Sequence, residues 1–180
     1  MFKKMDLLSK IPLQIIAFLG ENPSKRFYER EIAKNCKIST GAVNNYMGVL
    51  KAFNVVEYEK RGKTSLYRIN LEESIPREFR ALLNLLKLHD FIKDIKSISK
   101  KAILFGSYSD GTSIEGSDID LFVISSDRKA VMSLVSKTEK GLGTKINPII
   151  ADSSSINKLK DEPIYKNIQR GKVLWESHEY

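Results

Sequence analysis

Cysteine is all but missing from this 180-residue chain, and Cys36 is its single example. A lone thiol cannot close an internal disulfide or build a multi-cysteine metal site, and such usage fits a reducing cytoplasm. Cys36 itself reads as a small core side chain in a helix. Histidine is almost as rare: His89 and His178 stand far from every motif described below and read as surface or helix residues. No apolar run approaches the roughly 20 residues that a bilayer-spanning helix needs. The opening MFKKMDLLSKIPLQIIAFLG places two lysines ahead of an apolar stretch, as a signal peptide does. Asp6, Lys10 and Gln14 interrupt it, however, and no small-x-small cleavage site follows. Internal repeats and low-complexity segments are missing as well. The expectation is a soluble, cytoplasmic protein with no membrane partner.

What is present is ordinary globular composition, 42% hydrophobic and 29% charged, in a length that suits one large domain or two small ones. The net charge is +8 and the pI near 9.4, a balance that suits a polyanionic partner. The excess is denser at the N-terminal end. Residues 1–75 hold 13 basic and 8 acidic side chains, and the remainder 17 and 14.

Periodicity predicts a first helix over 9–21 with Ser9 as its cap, a second over 27–35, and a third, TGAVNNYMGVLKAF, capped by Ser39. Val43, Met47 and Leu50 fall at i, i+4 and i+7, so they turn inward. The runs VVEYEK and SLYRIN, joined by Arg61-Gly62-Lys63, read as a hairpin with Gly62 at positive φ. Helix, helix, turn, helix, hairpin is the order of a winged helix-turn-helix. In that arrangement the third helix enters the major groove. Its outward set is then Thr40, Gly41, Asn44, Asn45, Gly48 and Lys51, a face without an acid. Paired asparagines suit adenine edges, Lys51 suits phosphate, and Arg61 and Lys63 at the tip suit the DNA backbone. Residues 10–70 resemble the winged-helix domains of prokaryotic transcription regulators, which implies duplex DNA as a partner and no particular operator. A homodimer is in keeping with that resemblance, because such regulators read two half-sites.

Pro76 opens a long amphipathic segment to about residue 98, read as one connecting helix. A β–α–β pattern follows, with strands near 102–105, 119–124 and 144–150 and a helix near 127–138. Two short helical stretches lie near 154–170, and KVLWE follows at 172–176. The stretch 103–124, ILFGSYSDGTSIEGSDIDLFVI, needs its own account. Gly106 lets the first strand turn tightly with backbone N–H groups exposed, and Ser107 adds a hydroxyl, a combination that can hold phosphate. Asp118 and Asp120 are two apart, so on a strand both point to one face. Like charges so placed repel, which is tolerable where a divalent cation sits between them; Mg²⁺ takes one or two carboxylates plus substrate phosphates.

Gly-Ser, ten residues, Asp-x-Asp resembles the signature of the minimal nucleotidyltransferases of the DNA polymerase β superfamily, over about 102–175. The resemblance implies an α+β chain: residues 1–75 a winged helix-turn-helix, 76–98 the connector, and 99–180 a small mixed sheet with flanking helices. It also implies that Gly106 and Ser107 hold the triphosphate of an NTP, while Asp118 and Asp120 are catalytic and bind Mg²⁺ (or Mn²⁺). Active members carry a third carboxylate on the next strand, where this chain has Asn147; an amide lends an oxygen to a metal but is no base at neutral pH. Asp152 lies about 17 Å further along that strand and on its other face, while Pro148 marks the strand as an edge or a bulge. Asp110 stands where relatives often have a basic residue. Two readings therefore stay open: transfer of a nucleoside monophosphate to a hydroxyl, on a protein partner for example, or a DNA-binding regulator whose nucleotidyltransferase domain is catalytically degenerate.

Overall fold

The computed structural model describes residues 6–62, 64–152 and 155–177. By internal contacts the chain divides into two units, Met1–Arg80 and Ala81–Tyr180.

The first unit contains α1 (Lys10–Glu21), the two-residue strand β1 (Phe27–Tyr28), α2 (Glu29–Cys36), α3 (Thr40–Ala52), β2 (Val56–Arg61) and β3 (Thr64–Ile69). Its strands form one antiparallel sheet in the order β1-β3-β2. The i, i+4, i+7 spacing of Val43, Met47 and Leu50 buries all of them against Ile15, Ile16, Leu19 and Ile32. Each such aliphatic side chain contributes about 1.5–3 kcal/mol on leaving water. Ser39 caps α3 as expected, accepting the Ala42 N–H at 3.1 Å. Ser9 occupies the cap position of α1 but its hydroxyl turns back to donate to the Asp6 carbonyl at 2.8 Å. Phe27 and Tyr28, expected inside a helix, instead pair with Tyr67 and Leu66, and the helix begins only at Glu29. At the hairpin tip Gly62 adopts φ +61, where a side chain would be strained.

The division between units falls inside α4 (Ser74–Lys87). The single connecting helix expected over 76–98 is in fact α4 followed by α5 (His89–Ile95). The break is at Leu88, whose φ and ψ of −89° and 6° leave the helical range. No Pro or Gly marks that break, and Leu88 is fully buried.

The second unit continues with β4 (Lys101–Phe105), α6 (Ser107–Asp110), β5 (Ile119–Ile124), α7 (Arg128–Leu142), β6 (Ile146–Ala151), α8 (Ile156–Leu159), α9 (Pro163–Gln169) and β7 (Lys172–Glu176). The sheet order is β6-β5-β4-β7, with β5 and β6 parallel and the other pairs antiparallel. Alternation along β5 sorts its residues between two cores. Ile119, Leu121 and Val123 pack under Phe91 and Ile95 of α5 and Val131 and Val135 of α7. Phe122 packs on the opposite face with Phe105, Ala151 and Ile168. Asp120 shares that second face, and so does Asn147, which alternates with Ile149 and Ala151.

Strand β6 is an edge, one of the two readings that Pro148 left open. The Lys145 and Ala151 carbonyls accept from Ile119 and Ser125, so odd-numbered residues point their backbone toward β5. Pro148 therefore faces outward, where a missing N–H breaks no ladder bond. Its neighbours on that rim are engaged from α7: the Ile146 N–H donates to Glu139 Oε1 at 2.8 Å, and the Ile150 carbonyl accepts from Arg128 at 3.4 Å. No helix among the described residues is long and apolar enough to cross a membrane.

Candidate functional site

Strand β4 ends at Phe105, and Gly106 turns the chain with φ +69 and ψ −159, a combination that only glycine adopts without strain. A second constraint acts on the same residue. A Cβ built there would lie 2.6 Å from Asp120 Oδ2, so the acid and the turn share one space. Past the turn, the Gly106 carbonyl accepts from the Ser109 and Asp110 N–H groups at 2.9 and 3.3 Å, which fixes α6. Ser107 is half-buried beside it.

In the ladder Asp120 sits between Phe105 of β4 and Asn147 of β6. Asp118 lies two residues earlier, just ahead of the strand. Asn147 Nδ2 donates to Asp118 Oδ2 at 3.0 Å, and Lys145 Nζ stands 3.7 Å from the same oxygen. The position from which a third carboxylate was sought thus presents an amide and, two residues before it, an ammonium. Asp152 is elsewhere: it follows the far end of β6 and accepts the Ser155 N–H at 2.8 Å. Among the described residues no group of three or more His, Cys, Asp or Glu side chains comes together.

Burial holds the Asp120 carboxyl above its ordinary value; the nearby Asn147 amide pulls the other way, and the negative charge of Asp118 adds to the rise. A raised carboxyl means that the folded chain keeps a proton the unfolded chain has released. Stability therefore falls as pH climbs from the unfolded value through the folded one, and the deficit persists at neutrality. Asp120→Asn should accordingly melt above the wild type at pH 7 without metal. That gain should vanish below about pH 4, where both forms are neutral. Thermal melts at the two pH values check this, and an equal effect at both would refute the electrostatic cause.

Gly106, Ser107, Asp118, Asp120 and Asn147 thus gather at one end of the sheet. Beside them a cavity of about 360 Å³ opens, lined by Gly106, Ser109, Asp110, Asn167, Arg170 and Gly171. Sequence reasoning missed Lys145, Asn167 and Arg170. Lys145 precedes its strand, so no alternation pattern singles it out, and the other two lie more than 40 residues beyond the motif.

In the first unit Thr40, Gly41, Asn44, Asn45 and Gly48 are exposed along α3. Lys51 is not a free cation: it is half-buried, with its ammonium 4.9 Å above the Tyr58 ring. Arg61 is engaged too, its Nε 2.9 Å from Glu59 Oε1. Arg26 binds the other oxygen of Glu59 at 2.9 Å, and Arg68 makes two hydrogen bonds to Glu57 at 2.8 and 3.0 Å. Arg61, read from sequence as bare positive charge at the tip, therefore belongs to a chain of ion pairs. Lys63 lies outside the described residues, as does His178.

Residues 85–174 match the family model of the nucleotidyltransferase domain. A candidate protein adenylyltransferase of Methanocaldococcus jannaschii is 33% identical over 94 residues, which cover 49% of this chain and 94% of that protein. Among solved structures, a toxin–antitoxin complex with AMP-PNP is 27% identical at a TM-score of 0.38, over 52% of this chain and 73% of that one. Reduced HlyU from Vibrio cholerae N16961 is 20% identical at a TM-score of 0.36, over 47% and 79%.

Proposed function

Because this chain belongs to the nucleotidyltransferase-domain family, we propose that Asp118 and Asp120, converging on Gly106, bind a nucleoside triphosphate together with a divalent cation and direct transfer of its nucleoside monophosphate to a hydroxyl. The observation that carries this reading is the space shared by Gly106 and Asp120, which brings a tight backbone turn and an ionisable oxygen to one point. Two carboxylates, one of them destabilised by burial, with a neutral amide beside them, suit Mg²⁺ or Mn²⁺ completed by phosphate oxygens and water. When bound, such an ion offsets charge on the transferring phosphoryl group.

The chain's own residues set the rest. Gly106 and Ser107 offer backbone N–H groups and a hydroxyl to the phosphates. Asp118 and Asp120 orient the cation side. The acceptor oxygen bonds to the α-phosphorus, the bond from that phosphorus to the bridging oxygen breaks, and pyrophosphate departs. Asn147 cannot take the acceptor's proton, which leaves to Asp120 or to water, so turnover is slow. The likeness to a protein adenylyltransferase supports a protein hydroxyl as acceptor. Incubation with each labelled NTP, Mg²⁺ and candidate protein partners tests this, and label must appear on a protein only in the presence of the paired acids.

Asn147 and Lys145 favour a second reading, in which the site holds nucleotide without turning it over and the chain acts as a regulator. Both readings assign the first unit to a winged helix-turn-helix that binds duplex DNA through Thr40, Asn44 and Asn45 in the major groove. The acid-free exposed face of α3 supports this. Arg61 must exchange Glu59 for phosphate. Arg61→Ala should therefore weaken binding to every sequence and reduce the salt slope by about 0.9 for each phosphate left unneutralised. Glu59→Gln, which frees Arg61 and leaves Arg26 only its 3.8 Å pair with Glu57, should tighten it, and Asn45→Ala should change sequence preference. Titrations of the full chain on several duplexes at different salt concentrations decide; affinity indifferent to salt would end this reading.

A further inference from the structure

We propose that the cavity beside Gly106 takes the polyphosphate tail of the nucleotide and that Arg170 supplies its cation, an assignment that rests on the nucleotide reading above. The path of the chain brings Arg170 there. Helix α9 packs Ile164 and Ile168 onto the sheet face that also carries Phe105 and Phe122, the face of Asp120 and Asn147. Gly171 then passes so near β4 that a Cβ would meet the Leu104 carbonyl at 2.5 Å and Phe105 Cβ at 2.9 Å. Lys172 pairs with Leu104, and its N–H donates to Ser109 Oγ at 3.2 Å. Arg170 is thereby held at the end of β4, where Gly106 begins the turn.

The donors that line the cavity, rather than its net charge, point to the ligand. Asp110 lines it, yet Asp110 Oδ1 is committed to its own turn, accepting from Thr112 N at 3.1 Å and Thr112 Oγ1 at 2.6 Å. No ion pair within 4.0 Å joins Asp110 to Arg170, and among the described residues the Arg170 guanidinium has no carboxylate partner. An exposed guanidinium and the Asn167 amide are left as donors. A planar fork of N–H groups matches phosphate oxygens in a way that a point charge does not. Gly106 walls both this cavity and the Asp120 carboxylate. A polyphosphate lying across it has the paired acids and their cation on one side and Arg170 on the other. The volume lies within the ordinary range of small-ligand sites, about 300–1,000 Å³.

Calorimetric titration of the full chain in Mg²⁺ with ATP, GTP, inorganic tripolyphosphate and adenosine tests the assignment. Arg170→Ala should weaken ATP, GTP and tripolyphosphate alike, by about tenfold, and leave adenosine unchanged. Arg170→Lys should recover part of the loss, while Asp110→Asn should tighten all three phosphates severalfold. A loss restricted to ATP and adenosine, with tripolyphosphate unaffected, would mean that the cavity takes base or ribose, and the assignment fails. If Arg170→Ala binds as the wild type does, while Asp118→Asn with Asp120→Asn abolishes binding, the role given to Arg170 is overturned and the nucleotide reading stands. Wild-type protein that binds no triphosphate overturns this assignment together with the reading beneath it.

Discussion

Nucleotide with Mg²⁺ should raise the melting temperature of the wild-type protein, and asparagine at both 118 and 120 should abolish that rise. A ligand at 100 times its dissociation constant stabilises by about 2.7 kcal/mol. For a chain of this size that is a rise in Tm of roughly 5–10 °C. The double variant should show none of it, because the amides retain shape but lose the charge that holds the cation. Without ligand, the variant should melt no lower than the wild type, since the strand sheds an acid that burial and Asp118 both penalise. The two halves of the result guard one another: a variant that merely misfolds would melt lower. If it retains the full ligand shift, the paired acids are not the site.

Asn147→Asp should raise nucleotidyl transfer by up to about 100-fold, the lower end of what a positioned base contributes. Asn147 already stands in register with Asp120 and within hydrogen-bonding distance of Asp118, so a carboxylate there needs no backbone movement. It adds a third negative charge, which the ammonium of Lys145, 3.7 Å from Asp118, partly offsets. The apo variant should consequently be less stable than the wild type, yet gain more from Mg²⁺. Single-turnover rates with labelled NTP measure the first effect and thermal shift the second. An unchanged rate beside a larger metal response would locate the limiting step away from proton removal.

The parts of this molecule that could be read in advance are those written locally. Alternation along 119–124 put Asp120 beside Phe122, helical spacing put Val43, Met47 and Leu50 inward, and Pro148 left an edge strand or a bulge, of which the edge is found. What escaped depends on partners distant in sequence. Phe27 and Tyr28 form a strand only because β3, nearly 40 residues on, offers Tyr67 and Leu66. The Arg26–Glu59 pair spans 33 positions and ties Arg61, through the same Glu59, into a shared network. The break at Leu88 carries no Pro or Gly to announce it. Arg170 reaches its cavity because Gly171 has no side chain, a packing need that nothing around it in the sequence announces.

The outer rim of β6 bears on how a second protein can dock. An open sheet edge ordinarily offers a row of donors and acceptors on which a foreign strand can grow. Along this one Glu139 takes the first N–H, Pro148 has none to give, and Arg128 covers the Ile150 carbonyl. Strand addition there would have to break two side-chain hydrogen bonds and still leave a gap in the ladder. A protein that docks beside β6 must therefore do so through its side chains and not by adding a strand to this edge.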